Sequence, residues 1–341
     1  MSDVFSPKER LIRVLNKEET ERPPVICPGG MMNSAIVEIM QKTGHTLPQA
    51  HHTEQLMSSL AKDVQNYTGF ENFGIPFCMT VEAEVLGSEV NFGSLSCEPK
   101  IQKEAYLSVT DVPFLPFGTI SKHKRVEAIA GAVTLLSKSN SDIPVIGSLT
   151  GPISTAASLV DPMSFLKQLR KDKENSHKVL DYVCGHLIEY AYLLIDAGAS
   201  VISIADPTAT GEILGPKLFE EYAVLYLNKI CDAIHSRGIP VIIHICGKME
   251  AVKPHIGKLT GNAISVDAFV SLKNLKSEIP SLTTMGNVST IALEFSEPEK
   301  IERMTEKLLG ENINIISPAC GLSTSTPLVN INALTGTVLN G

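Results

Sequence analysis

The sequence lacks any apolar run of the roughly 18–20 residues that a membrane span requires. Its opening stretch, Met1-Ser2-Asp3-Val4-Phe5-Ser6-Pro7-Lys8-Glu9-Arg10, also lacks the apolar core of a signal peptide. The expectation is a soluble, cytoplasmic protein with no membrane partner. An excess of positive charge is missing too. Lys and Arg number 29 against 37 Asp and Glu, which leaves a net charge of −8. That sign does not suit a phosphate backbone, so nucleic acid is excluded as a partner. The longest basic cluster, Lys122-His123-Lys124-Arg125, reads as a solvated helix start. The seven cysteines (27, 78, 97, 184, 231, 246 and 320) are odd in number and scattered, which is no disulfide framework. In a reducing compartment, metal binding or burial remains for them. No internal repeat, low-complexity linker or early Gly-x-Gly-x-x-Gly fingerprint occurs, which argues against a dinucleotide fold.

What is present is a core. Of 341 residues, 43% are apolar, and they fall into short, continuous β-branched runs. Eight such runs read as strands: near 25–27, 73–77, 143–149, 201–205, 241–245, 263–267, 283–287 and 313–317. Helical spacing fills the gaps, with segments near 8–17, 33–43, 53–67, 122–138, 164–197 and 216–236. In the longest, Val179, Val183, Leu187, Tyr190 and Leu194 recur at spacings of three and four, and Ala197-Gly198-Ala199 stops it. Runs that are apolar throughout suit parallel strands covered by helices on both faces. The fold class expected is therefore α/β, a (β/α)8 TIM barrel, with a small β excursion near residues 81–110. A doubly wound open sheet is the runner-up.

One stretch organises the functional expectation: Val241-Ile242-Ile243-His244-Ile245-Cys246-Gly247. Side chains alternate along a strand, so His244 and Cys246 project from the same side. Imidazole and thiolate are zinc ligands. A third donor stands 74 residues after Cys246, where Ile315-Ile316-Ser317-Pro318-Ala319-Cys320-Gly321 delivers a cysteine at another strand end. Barrels gather their sites at the C-terminal ends of strands, and the polar residues there are Cys27, Asp206, His244, Cys246, Asp267, Asn287 and Cys320. His244, Cys246 and Cys320 make a three-ligand set with an open fourth position, the pattern of catalytic zinc. As structural residues they would instead be small hydrophobes and a satisfied core histidine. Asp206 either bonds a substrate or ligand-supporting donor, or caps the next helix. Asp267 is either a weak fourth ligand or a turn residue. Gly286 and Asn287 offer close backbone approach and an amide, or simply a tight turn. Met31, Met32 and Asn33 line the pocket mouth or belong to the core. Cys78 reads as buried, and Cys97, Cys184 and Cys231 receive no role.

Several segments together resemble the uroporphyrinogen decarboxylase superfamily, and within it the methylcobamide:coenzyme M methyltransferases of methylotrophic methanogenesis and their corrinoid-dependent bacterial relatives. They are Ile204-Ala205-Asp206-Pro207, His244-Ile245-Cys246-Gly247, Gly286-Asn287-Val288-Ser289, Ser317-Pro318-Ala319-Cys320-Gly321 and Thr326-Pro327-Leu328-Val329-Asn330. The likeness covers nearly the whole chain and implies one barrel domain over residues 1–341. It implies a Zn2+ cofactor on His244, Cys246 and Cys320, and a methylcobamide (corrinoid) methyl donor borne by a separate carrier protein. It further implies a thiol acceptor, coenzyme M above all, that loses its proton on the metal and attacks the methyl–cobalt(III) centre. Products would be a methyl thioether and cobalt(I). Two departures stand out. Asp267 follows Ser265-Val266 where related chains carry glutamate, which leaves its ligand role open. The stretch Pro24-Val25-Ile26-Cys27-Pro28-Gly29-Gly30 lacks the arginines that a many-carboxylate tetrapyrrole would want, which disfavours decarboxylation. Transfer to tetrahydrofolate, or from a methylated substrate onto a corrinoid protein, keeps the same fold and metal and remains open. A metal-free lyase acting on a tetrapyrrole and a non-catalytic corrinoid-binding partner with structural cysteines stay open as well.

Overall fold

The computed structural model describes residues 4–341. Its strands are β1 (Phe73–Ile75), β2 (Glu89–Asn91), β3 (Lys100–Lys103), β4 (Val145–Thr150), β5 (Val201–Ala205), β6 (Val241–Ile245), β7 (Ala263–Val266) and β8 (Thr284–Met285). Six of them form one parallel sheet in the order β1-β4-β5-β6-β7-β8. Every residue of β4, β5, β6 and β7 is buried, as continuous apolar runs between helices require.

The ring closes through two segments too irregular to count as full strands. Residues 313–317 join β8 by the Ile315 N–H to the Thr284 carbonyl at 3.0 Å, and the Gly286 N–H donates to the Ile315 carbonyl at 3.0 Å. They join residues 24–28 by the Ile26 N–H to the Ile316 carbonyl (3.0 Å) and the Ile316 N–H to the Pro24 carbonyl (2.9 Å). Pro24 and Pro28 cannot donate, so no full ladder forms between this segment and β1. The Asn72 side chain substitutes for it. Its Oδ1 accepts the Cys27 N–H and its Nδ2 donates to the Cys27 carbonyl, both at 2.9 Å. The backbones touch here: a Cβ on Gly74 would lie 2.5 Å from the Pro28 carbonyl carbon. Only glycine allows that approach. Eight parallel segments thus close a (β/α)8 barrel, as expected from the eight runs.

Local departures have physical causes. The expected β excursion near 81–110 begins with a helix, Val81–Val85, and continues as the antiparallel hairpin of β2 and β3 and a single parallel bridge from Tyr106 to Val160. Glu82 turns inward, where its carboxylate accepts the Thr150 N–H (2.6 Å) and hydroxyl (2.9 Å). The helical turn also buries Val81 and Val85. The long helix expected over 164–197 is two, Pro162–Lys171 and Lys173–Ala197, broken at Asp172. Asp172 leaves helical geometry (φ −133°, ψ 66°), and its side chain accepts the Asn175 N–H as an N-cap. The segment near 216–236 is also subdivided, into Gly211–Leu218, a π turn over Phe219–Val224, and Leu225–His235. A helix not expected from spacing, Pro152–Leu159, follows β4; it is almost wholly buried, so no amphipathic period marks it.

Burial pushes the Glu82 carboxyl up to about 7, against the lowering effect of its bonds from Thr150. The folded chain therefore holds this proton at pH values where the unfolded chain, near 4.5, has lost it. Folded-state stability should decline as pH rises through that window. Glu82→Gln is expected to remove this group's share of the decline, roughly 2–3 kcal/mol between pH 5 and pH 8, and to leave the share of the other buried carboxyls. Urea midpoints of the two proteins at both pH values read it directly.

Candidate metal centre

His244 is the fourth residue of β6 and is fully buried. Its ring nitrogens have different neighbours. Nδ1 lies 2.9 Å from the Ser265 hydroxyl on β7, the residue paired with it in the sheet register. The Ser265 hydroxyl in turn points at the Met32 thioether, 3.8 Å away. Ser265 is placed to accept from an Nδ1–H of His244, the tautomer that would leave the Nε2 lone pair for a metal. Nε2 faces the Cys246 sulfur at 2.9 Å. Cys246 follows directly after β6, on the same side of the chain as His244. The Cys320 sulfur lies 3.2 Å from that of Cys246. The donor atoms of His244, Cys246 and Cys320 all fall within 4.8 Å of one another.

Two thiols this close share a proton. The Cys320 thiol is pushed down by the hydrogen bond from Cys246, burial opposing and His244 helping. Cys246, which keeps the shared proton, is pushed up by that same bond and by burial. The Cys320 backbone is held close to the opposite loop. A Cβ on Gly321 would lie 2.2 Å from the Met31 carbonyl oxygen, so glycine is required beside the cysteine. One soft nitrogen and two sulfurs, one already disposed to ionise, fit zinc's preferences and leave room for a fourth ligand.

The other singled-out residues are placed around this centre. The Met31 thioether lies 3.6 Å from the Cys246 sulfur. The Met32 carbonyl accepts the Cys27 thiol at 3.0 Å, and burial pushes that thiol up to about 12. Cys27 is therefore a small buried hydrophobe with one weak bond. Asn33 is buried; its Oδ1 accepts the Ala35 N–H (2.9 Å), its Nδ2 donates to Glu98 (3.2 Å), and its carbonyl accepts the Leu322 N–H (3.1 Å). It ties the first barrel loop to the hairpin and to the loop after Cys320. Asp267 stands outside the three-donor set, and its carboxylate accepts long 3.4 Å bonds from the Gly247 and Phe269 N–H groups. Asn287 donates from Nδ2 to the carbonyls of Asp267 and Val270, both at 2.9 Å, and so fastens the loop after β7. Gly286 supplies a barrel-closing N–H.

Asp206 lies elsewhere. Its carboxylate accepts the Ile153 N–H (3.0 Å), the Ser154 N–H (2.8 Å) and the Ser154 hydroxyl (2.6 Å). It caps the helix that follows β4, not the one that follows its own strand. Burial pushes the carboxyl up to about 6. Its own N–H donates to the His244 carbonyl at 2.9 Å. Ser265 is a supporting residue that the sequence alone does not single out. The available signal is its place two residues before Asp267, on the same strand face.

The whole chain matches known proteins. The family model described as uroporphyrinogen decarboxylase (URO-D) matches residues 6–340. The chain belongs to the uroporphyrinogen decarboxylase family. Within the family, it is 31% identical to the methylcobamide:CoM methyltransferase MtbA of Methanosarcina acetivorans, over 97% of this chain and 96% of that one. It is 29% identical to the methylcobamide:CoM methyltransferase MtaA of Methanosarcina barkeri, with the same coverage. A solved methyltransferase structure from Methanosarcina mazei superposes with a TM-score of 0.92 at 28% identity, covering 98% of this chain and 99% of that one. No helix among the described residues is long and apolar enough to cross a membrane.

Ser265 lies against the His244 ring without belonging to the three-donor group. Ser265→Ala is expected to leave the fold intact and to weaken zinc binding about 10- to 100-fold, because the His244 ring loses the partner that fixes its tautomer. Competition with a chromophoric chelator measures this.

Proposed function

We propose that the protein is a zinc-dependent methyltransferase that moves a methyl group from a methylated corrinoid on a carrier protein to a thiol, with coenzyme M as the first acceptor. One observation carries the proposal. His244, Cys246 and Cys320 converge at the C-terminal end of a barrel whose relatives are named for methyl transfer from methylcobamide to CoM. A zinc ion held by His244 Nε2 and the two sulfurs supplies the positive charge that lets a coordinating thiol lose its proton near neutral pH.

The chain's own groups prepare that event. Ser265 holds the proton of His244 on Nδ1, leaving Nε2 free to ligate. The hydrogen bond between the two sulfurs pushes the Cys320 thiol down, toward the thiolate that a zinc ligand needs, and the pair would shed protons on loading. Met31 covers the Cys246 sulfur with an apolar thioether and keeps water off that side. A thiol held there would present its sulfur to the methyl carbon, and the carbon–cobalt bond would break with its electron pair left on the corrinoid. Asn287 fastens the loop after β7, and Asp267 on that loop accepts the N–H of Gly247, the residue after Cys246.

Incubation of the zinc-loaded protein with methylcobalamin and either coenzyme M or tetrahydrofolate tests the acceptor. Loss of the methyl–cobalt absorbance with coenzyme M supports the proposal. No loss with coenzyme M, together with turnover on the folate, rejects it.

A further inference from the structure

The hairpin of β2 and β3 is fastened to both loops beside Cys320. Its turn is closed by the Ser94 N–H on the Cys97 carbonyl at 2.9 Å. The Thr324 hydroxyl donates to the Ser96 carbonyl at 3.0 Å, and Asn33 Nδ2 donates to Glu98 Oε1 at 3.2 Å. The Asn33 backbone nitrogen in turn lies 3.9 Å from where a Cβ on Gly321 would sit. Nearer its base, the hairpin is held by Phe92. That ring meets the His52 ring edge-on at 4.5 Å and lies 5.1 Å from the Arg125 guanidinium above it. The hairpin is therefore a strap, and it brings one carboxylate, Glu98, to the loop that bears the second cysteine.

This carboxylate has no counter-charge. Asn33 is its one hydrogen-bond donor among the described residues, and no ion pair reaches it there. The neighbouring His51 imidazole supplies none. Burial, helped by Arg125, pushes it down to about 3, so it is neutral near pH 7. Arg125 itself is engaged by Glu84, Thr80 and Cys78. Burial raises the Glu98 carboxyl above its ordinary range; the Asn33 bond opposes, Cys320 raises it further and His51 lowers it slightly. Glu98 is thus an electrostatic neighbour of the metal centre, and it remains exposed to solvent. A tie between loops needs only an acceptor oxygen. An amide supplies that without setting a like charge beside Cys320, so the tie alone does not account for a carboxylate here.

Resting on the methyl-transfer proposal above, we propose that Glu98 is the proton acceptor for the thiol that enters the centre. The S–H bond breaks with its electron pair on sulfur. The proton joins Glu98 Oε2, the oxygen that Asn33 leaves free, and passes from this exposed carboxyl to water. A carboxyl raised toward neutrality suits such a transfer.

The test mixes zinc-loaded protein with coenzyme M in weak buffer near neutral pH, with no methyl donor present, and follows proton release with an indicator dye. Glu98→Gln keeps an acceptor oxygen for Asn33, and so keeps the strap, but loses the base. Its zinc content and melting temperature should match the wild type, while its proton release is expected to slow roughly tenfold or more. A hindered pyridine base, too bulky to ligate a metal, should restore the rate in this variant and leave the wild type unchanged. Thr324→Val, which cuts the other tie of the strap, should show no such rescue. An unchanged release rate in Glu98→Gln overturns the proposal. So does a slow rate that added base does not restore, or an equal rescue of Thr324→Val, since either reduces Glu98 to a tie between loops. Loss of zinc from Glu98→Gln assigns the residue to holding the metal and also overturns it. A wild-type protein that releases no proton with coenzyme M fails the methyl-transfer proposal itself and this one with it, a failure visible before any variant is made.

Discussion

Cys320→Ala should purify with almost no bound zinc, against an expected one ion or so per chain in the wild type. The substitution leaves one nitrogen and one sulfur, and two protein donors do not hold zinc against a chelator. Apparent zinc affinities of about 10–16 kcal/mol are typical of four-ligand sites, so each ligand accounts for several kcal/mol. The expected loss of affinity is about a thousandfold or more. Methyl transfer from methylcobalamin to coenzyme M should fall by at least a similar factor. The fold should survive, since Cys320 is only part-buried and its contacts lie at the barrel mouth. Elemental analysis of the purified variant, beside circular dichroism, separates metal loss from unfolding. A variant with full zinc and full activity would remove Cys320 from the site.

The second large effect concerns stability. Asp206→Ala removes the acceptor of three hydrogen bonds from Ile153 and Ser154, in a place with no access to water. Two backbone N–H groups at a helix start are left buried and unpaired, at about 1–3 kcal/mol each. The expected cost is about 3–5 kcal/mol, seen as a lower urea midpoint with an unchanged m-value. Asp206→Asn keeps one acceptor oxygen and should cost about half as much. Gly151 reinforces the point, because a Cβ there would lie 2.4 Å from the Asp206 Cβ. If Asp206→Ala unfolds at the wild-type midpoint while activity is lost, the residue acts on substrate instead.

The barrel was legible because its strands are buried on both faces and read as uninterrupted apolar runs. The metal set was legible for a related reason. Alternation along a strand places His244 and Cys246 together without knowledge of any partner, and Cys320-Gly321 repeats the strand-end pattern of Cys246-Gly247. Contacts fixed by register between strands were not legible. Ser265 meets His244 because β6 and β7 pair in one particular offset, and nothing local to Ser265 announces it. Asp206 was placed at a strand end, but its helix lies more than fifty residues earlier in the chain, so a choice between substrate and the next helix could not include the true partner. The break at Asp172 was hidden by apolar spacing that continues on both sides of it. The helical turn at Val81–Val85 was hidden because its residues face a loop core instead of one amphipathic side.

The central claim is that the three donors leave one position that a thiol occupies. X-ray absorption at the zinc edge, recorded with and without coenzyme M, tests it most directly. The account predicts two sulfurs and one imidazole in the free enzyme and a third sulfur at about 2.3 Å once the thiol is added. A spectrum that keeps two sulfurs at saturating coenzyme M would contradict it.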